Sequence, residues 1–336
     1  MRPIEYKKGG AMLRQLRISF FILVAVLTFS LPSYSQSNYP SRPIKLIVGF
    51  PPGGGLDFTS RLIAPYLAEA LGQQVIVENK PGAAGVIALT ELSRAAPDGY
   101  TLVVANIGPM VLAPNMMAKK PYDPLKDFTP IGQIVSTYFL AVVPRELPVD
   151  SLKTFIQWAK ENSGKANFAS GGNGSITHLN GELLNNVGSI KLTHVPYKGS
   201  APAIIDLISG QTHILIDITG ILVPQVQSGK LKAIAITSPA RDKDLPNVPT
   251  VRESGFTELE TSGWQGLVGP ANMPKEVVQK LQMALKKTLA NPEVRERFEK
   301  AGTPITERSG AEFAAFIKAE NDRWLAVIKK SGTKIE

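Results

Sequence analysis

The segment FPPGGGLDF, at residues 50–58, combines residue types that can hold an anion. Its three consecutive glycines follow an apolar run, residues 44–49, that is typical of a buried strand. Because glycine has no side chain, the backbone N–H groups there can approach a ligand closely. A helix is predicted to begin with Asp57 as its N-cap, and the free N–H groups and dipole of a helix start favour negative charge. The loop therefore predicts an anion site, with a tight structural turn as the alternative.

Three further loops repeat this arrangement after predicted strands: SGGNGSITHL at 170–179, VPYKGSAPAIIDL at 195–207 and ANIGPM at 105–110. Ser175 and Ser200 are predicted as the N-caps of the helices that follow. Ligand crevices of parallel α/β sheets lie at the carboxyl ends of the strands, where all four loops converge. Four to six hydrogen bonds to a charged group, at about 1.5–3 kcal/mol each less the ordering costs, reach roughly the 8 kcal/mol of a micromolar complex. The sequence therefore favours a carboxylate held by neutral donors.

Motifs for several common kinds of chemistry are missing. Cysteine is absent, which excludes disulfides, thiolate zinc sites and cysteine nucleophiles. The glycines lack the lysine of a P-loop, and Phe58 stands where a dinucleotide fingerprint has its third glycine. No serine lies in a GxSxG motif and no histidine in HExxH. The sequence therefore predicts no catalytic residue, no metal site and no cofactor.

Two titratable residues lie in or beside the loops. His178 falls in the first turn after the Ser175 loop, where it could touch a bound anion or simply pack. Asp217 ends the apolar segment HILID, where it could meet a ligand or cap a loop. The sequence leaves these alternatives open. If either residue acted as a base, the protein would be an exported hydrolase or isomerase of a carboxylated substrate.

Residues 1–35 differ in character from the rest of the chain. Basic residues precede an apolar run at 18–29, and Ser33 and Ser35 stand at the minus-three and minus-one positions of a cleavage site. This pattern predicts a secretory signal peptide, because the apolar run is shorter than the roughly 20 residues that a membrane anchor needs. Met12 is an alternative start. Removal of residues 1–35 lowers the formal charge from +9 to about +5, which does not predict a nucleic-acid partner.

Short β-branched runs alternate with helical patterns, such as the helix at 152–161 and the strand at 167–170, and this order predicts an α/β fold with parallel sheets. A long apolar strand at 131–143 separates two such series. The helical C-terminal part lacks strands for a sheet of its own, so SGWQGLVGP at 262–270 is predicted to cross back as a strand. Two crossing segments would form a hinge. The predicted boundaries are a signal peptide at 1–35, lobe 1 at 36–140 plus 264–336, and lobe 2 at 141–263.

Several segments resemble the substrate-binding proteins of tripartite tricarboxylate transporters, also called Bug-type extracytoplasmic solute receptors. They are the stretch from Tyr39 to Gly85, SGGNGSITHLNGELL, VPYKGSAPAIIDLISGQ, VQSGKLKAIAIT and LPNVPTVRESGF. The resemblance implies a two-lobed periplasmic-binding-protein fold of type II, the Venus flytrap, with two crossover strands. It implies a periplasmic receptor, not an enzyme, that closes over a small organic acid and serves membrane permease subunits. We expect a monomer.

Carried over by position, the resemblance assigns ligand contact to both lobes. In the first lobe the residues are Gly53, Gly54, Gly55, Leu56, Asp57, Asn106 and Gly108. In the second lobe they are Gly172, Asn173, Ser175, His178, Lys198, Ser200 and Asp217. The ANIGPMV segment departs from the GTNGTHA-like run of relatives, so the contacts at the distal end of the ligand are not predicted. A ligand-sensing adaptor is a further alternative function, and the sequence does not indicate which carboxylate is bound.

Overall fold

The computed structural model describes residues 39–334, so the predicted signal peptide at 1–35 lies outside the described residues. The described part is an α/β fold, as the alternating pattern predicts. Its strands are β1 (Ile44–Val48), β2 (Val75–Asn79), β3 (Thr101–Asn106), β4 (Phe128–Pro144), β5 (Asn167–Ser170), β6 (Thr193–Pro196), β7 (Ile214–Ile218), β8 (Leu231–Ile236), β9 (Ser262–Pro270) and β10 (Ile305–Ser309). Its α-helices are α1 (Gly55–Leu71), α2 (Val86–Ser93), α3 (Ala113–Met116), α4 (Leu152–Glu161), α5 (Ile176–Gly188), α6 (Ser200–Ile208), α7 (Thr219–Gln227), α8 (Lys275–Ala290), α9 (Pro292–Lys300) and α10 (Gly310–Ser331). Shorter helical turns are Ala83–Gly85, Gly108–Leu112 and Thr257–Leu259.

Strand β4 belongs to two sheets. In the first sheet its N-terminal half pairs with β9 and β10, and β9 continues through β3 and β1 to β2. In the second sheet its C-terminal half pairs with β7 and β8, and β7 continues through β5 to β6. The βα strands run parallel within each sheet, whereas β4 is antiparallel to its neighbours. The long strand and the return strand that the sequence predicts are thus both present, while the lobe boundaries near residues 140 and 264 stay a prediction.

The register along β4 brings the carboxyl ends of the two sheets towards each other. At the end of β3, Asn106 pairs with Gln265 of β9, which in turn pairs with Val135 of β4. At the end of β7, Ile218 pairs with Phe139 of β4. Since β3 runs parallel to β4 and β7 antiparallel to it, both strands point at the stretch between these positions. Four residues of strand correspond to roughly 13 Å, a gap of the size of a small ligand.

Two apolar cores fix the sheets beneath these strand ends. The larger core contains Trp264 of β9 and Phe313 of α10, which meet edge to face with ring centroids 5.3 Å apart. The smaller core lies under α6 and α7 and contains Leu140, Leu207 and Leu222. Loops mounted on such packed elements are held in defined positions. Within residues 39–334, no helix combines the length and apolar character required to cross a membrane.

Two predicted helix starts are wrong and one is confirmed. Helix α1 begins after Gly54 rather than with Asp57 as its cap, and α6 begins after Gly199 rather than Ser200. Gly54 is extended (φ −82°, ψ 171°), and Gly199 has φ +103°, which side-chain-bearing residues rarely adopt. Ser175 does cap α5, since its side chain accepts a hydrogen bond from the His178 N–H. The sequence also did not predict β10 or α7.

Candidate functional site

The glycine loop of the first sheet is held by a buried carboxylate. Asp57, the third residue of α1, accepts hydrogen bonds from the N–H of Gly53 (2.9 Å), Nε of Arg61 (2.9 Å) and Nδ2 of Asn79 (2.8 Å). The bond from Arg61, supported by those from Gly53 and Asn79, lowers the pKa of Asp57 to about 2. The carboxylate is therefore occupied in shaping the loop. No side chain caps α1 at Gly54, which leaves the N–H groups of its first turn for a ligand.

Asn106 is the last residue of β3 and Gly108 follows it, and both are half-buried. Gly108 begins a π-helical turn, so the predicted ANIGPM loop is a helix start rather than an open loop. Opposite Asn106, Gln265 of β9 is buried and was not among the predicted site residues. The only hint in the sequence is its place in SGWQGLVGP, where a polar side chain interrupts an apolar strand. Leu56, predicted as a contact, is buried as part of the core.

In the loop that follows β5 in the second sheet, most backbone N–H groups already donate hydrogen bonds to side chains of the same segment. The N–H of Gly171 donates to Thr177 Oγ1 (2.8 Å), that of Gly172 to Ser170 Oγ (3.1 Å) and that of Gly174 to His178 Nδ1 (3.1 Å). These internal bonds make the loop rigid but occupy donors that the sequence assigned to an anion. Exposed Asn173 and the N–H groups at the start of α5 are the donors that remain for a ligand.

Beneath this loop, two histidines and a phenylalanine form a stack. The rings of His178 and His194 lie 3.8 Å apart at an interplanar angle of 7°, and Phe168 stacks on His194 at 4.9 Å. His194 Nε2 is 2.6 Å from Ser170 Oγ, which joins the stack to the glycine loop. Burial, assisted by the neighbouring His178, lowers the pKa of His194 to about 4. His178 is buried and lies under the loop, and its direct contact with an anion stays a prediction.

We expect the stability of the protein to decline as the pH falls from about 6.5 to about 4, because His194 resists protonation in the folded state. The unfolded chain takes up this proton near pH 6.5, so the free energy of unfolding decreases over that window and is unaffected above it. Urea denaturation of the wild type and His194→Gln between pH 7 and pH 4 measures the effect. Because His213, whose pKa burial also lowers, is present in both proteins, the difference isolates His194. Parallel pH profiles would contradict this prediction.

The start of α6 completes the site of the second sheet. Gly199 provides no side-chain cap, so the N–H groups of Ser200 and Ala201 stay available, and Pro202 has none to satisfy. The Ser200 hydroxyl donates to Oδ2 of Asp217 at 2.5 Å, and the other carboxylate oxygen accepts from the N–H of Ile218. Burial raises the pKa of Asp217, while these two hydrogen bonds oppose the rise. Asp217 thus positions the start of α6. Lys198, two residues before that start, is exposed.

The predicted site residues lie in two groups in the structure, one on each sheet. One group surrounds the start of α1, and the other joins the starts of α5 and α6 through the bond from the Gly199 N–H to the Gly171 carbonyl (3.2 Å). Ser170, Thr177 and His194 support the second group but were not predicted as site residues. Serine and threonine are common in any loop, and His194 lies in no recognisable motif. In the described part of the chain, no three histidine, aspartate or glutamate side chains are arranged to hold a metal ion.

Comparison with known proteins decides the family. The sequence profile of the tripartite tricarboxylate transporter family receptors matches residues 59–333. The chain belongs to this receptor family. Protein BugT of Bordetella pertussis, one of its relatives, is 33% identical over 316 residues, which cover 94% of this chain and 97% of BugT. The resemblance seen in the sequence is thereby confirmed.

Solved structures of similar proteins agree with the receptor fold. The periplasmic binding protein BugD is 35% identical, with a TM-score of 0.69 over 89% of this chain and 100% of BugD. MatC from Rhodopseudomonas palustris, solved with bound malate, is 33% identical, with a TM-score of 0.69 over 86% of this chain and all of MatC. Another R. palustris protein, solved with adipate, is 31% identical, with a TM-score of 0.71 over 88% of this chain and 99% of that protein. The receptor therefore has the two-lobed periplasmic-binding-protein fold, and two of the similar proteins were solved with a bound dicarboxylate.

Proposed function

We propose that the protein is a periplasmic receptor that captures a small carboxylated organic solute between its lobes and delivers it to a tripartite tricarboxylate-type transporter. The observation that carries this proposal is the pair of uncapped helix starts, α1 on the first sheet and α6 on the second. Helix α1 follows β1 and α6 follows β6, and these two strands are parallel to β3 and β7, whose carboxyl ends point at the stretch of β4 between Val135 and Phe139. Amides on opposite sides of a ligand would bind its carboxylates and draw the lobes together.

We favour a protein that binds the solute without converting it chemically. His178, a candidate base, already accepts a hydrogen bond on Nδ1 from the Gly174 N–H. Asp217, the other candidate, is 2% exposed and bonded to Ser200 and Ile218. A general base must reach the proton that it removes, and neither group is presented to a ligand in this way. The names of the relatives, with malate and adipate as bound ligands, support the same proposal.

The location and partners complete the proposal. The predicted signal peptide at residues 1–35 and the periplasmic relatives support export, and lobes divided near residues 140 and 264 support closure about a hinge. The receptor would act as a monomer and present its closed form to the permease subunits. Deletion of its gene is then expected to abolish uptake of the solute recovered from the protein.

Calorimetric titration of the exported protein with a panel of mono-, di- and tricarboxylates and amino acids tests the central claim. We expect at least one acid to bind with a dissociation constant in the micromolar range or below, and small-angle scattering to show compaction on binding. Mass spectrometry should identify the same molecule, chemically unchanged, after denaturation of the complex. Absence of binding to every acid would contradict the proposal, and conversion of the bound acid would favour the enzyme alternative.

A further inference from the structure

Two amide side chains face the same way at the end of the first sheet. Asn106 of β3 and Gln265 of β9 are directly opposite in the antiparallel pairing. Residues paired in this way share one face of the sheet, with Cβ atoms about 5 Å apart. Gln265 is 9% exposed, and Asn106 is half-buried. The two amides therefore form one polar patch at the carboxyl end of β3.

The amide oxygens of both residues lack a hydrogen-bond partner. Oδ1 of Asn106 and Oε1 of Gln265 are buried, and no donor from residues 39–334 reaches either of them. Buried polar atoms without partners are rare, because desolvation is then not compensated. Rotation of either amide by 180° would bury an N–H group in place of the oxygen. A donor on a bound ligand would satisfy these oxygens.

This patch lies beside the helix start that is proposed to hold a carboxylate. A Cβ atom built on Gly55, the first residue of α1, would be 3.8 Å from Nε2 of Gln265. A Cβ atom built on Gly108 would be 3.5 Å from Oδ1 of Asn106. Both are ordinary contact distances, so the two glycines are direct neighbours of the amides. The start of α1 thus borders the Gln265 amide, whose nitrogen is the nearest atom, and Asn106 lies directly across the strand pair from Gln265.

We propose that Asn106 and Gln265 select acids that carry a hydroxyl or ammonium group on the carbon next to the bound carboxylate. This inference rests on the proposed function. Hydroxyl and ammonium groups are the donors that small carboxylic acids possess, and a donor is what the two buried oxygens require. Because both oxygens lack a donor before the ligand binds, an acid with such a group gains hydrogen bonds that an acid without it does not. The selection therefore acts through tighter binding of the substituted acid.

Calorimetric titration with acids that differ by one group tests the inference. The pairs are propionate and lactate, succinate and malate, and glutarate and 2-hydroxyglutarate, with alanine, aspartate and glutamate as the amino counterparts. For any carbon skeleton that binds, we expect the hydroxy or amino acid to bind at least about tenfold more tightly than the unsubstituted acid. The ratio should fall to within about threefold in Gln265→Met combined with Asn106→Leu, mainly through weaker binding of the substituted acid.

Controls separate this inference from the proposed function. Gln157→Met, on the exposed face of α4, should retain the wild-type ratio, and Gln265→Met alone provides a milder variant if the double variant is unstable. Equal binding of both members of a pair by the wild type, or an unchanged ratio in the Gln265 variants, would overturn the inference but leave the receptor function intact. Failure of the wild type to bind any acid would overturn both.

Discussion

Gly55→Pro is expected to weaken carboxylate binding by about 10- to 100-fold while leaving α1 folded. Gly55 is the first helical residue, a position that proline favours because its fixed φ suits the helix and its missing N–H has no partner within the helix. Gly54 is extended, with ψ 171°, as the residue before a proline must be. The substitution therefore removes one donor to the ligand, and a hydrogen bond to a charged group contributes about 1.5–3 kcal/mol.

Gly55→Ala is the matched control for this experiment. It retains the N–H, and its Cβ would lie 3.8 Å from Nε2 of Gln265, an ordinary contact distance. We expect calorimetric titration to give the alanine variant a dissociation constant within a few-fold of the wild type, and urea denaturation to give all three proteins similar stability. If proline and alanine weakened binding equally, steric effects would explain the loss and the amide contact would be refuted.

Asp57→Ala is expected to lower the free energy of unfolding by about 2–4 kcal/mol and to weaken ligand binding at least tenfold. The buried carboxylate accepts from three donors, namely the Gly53 N–H, Arg61 and Asn79, and all three lose their acceptor together. Charge-assisted bonds contribute about 1.5–3 kcal/mol each, but Arg61 is half-exposed and recovers much of its loss by hydration. Binding suffers because the glycine loop loses the bond that fixes its start.

Asp57→Asn and the pH dependence provide the checks on this prediction. Asparagine keeps an oxygen for the Gly53 N–H but loses the charge, so its stability should lie between the wild type and alanine. The pKa of Asp57 is lowered from 3.8 to about 2, so the stabilisation is present above pH 4 and is lost as the pH falls towards 2. Urea denaturation should show this loss in the wild type and not in Asp57→Asn. An alanine variant as stable as the wild type would show that the loop does not depend on Asp57.

The elements of the fold were largely predictable from the sequence. Helix α4, strand β5 and return strand β9 have the predicted bounds, because apolar periodicity and β-branched runs act within one segment. The predicted positions of the helix starts were less accurate. Gly54 and Gly199, rather than Asp57 and Ser200, precede α1 and α6, since the backbone of a loop is set by what its side chains bond to. Asp57 reaches back to Gly53 and Ser200 reaches across to Asp217, so neither side chain serves as a cap.

By itself the sequence determined the α/β order of elements, the glycine-containing segments at strand ends and the lack of a catalytic motif, since each of these depends on residue types close together in the chain. Only the tertiary structure decided which groups meet: His178 stacked on His194, Asp217 under Ser200, and Gln265 opposite Asn106. Those contacts join segments far apart in the chain, and they depend on strand register and on the packing of whole elements. No local pattern encodes them, because the partner of a side chain is fixed only when the sheets form.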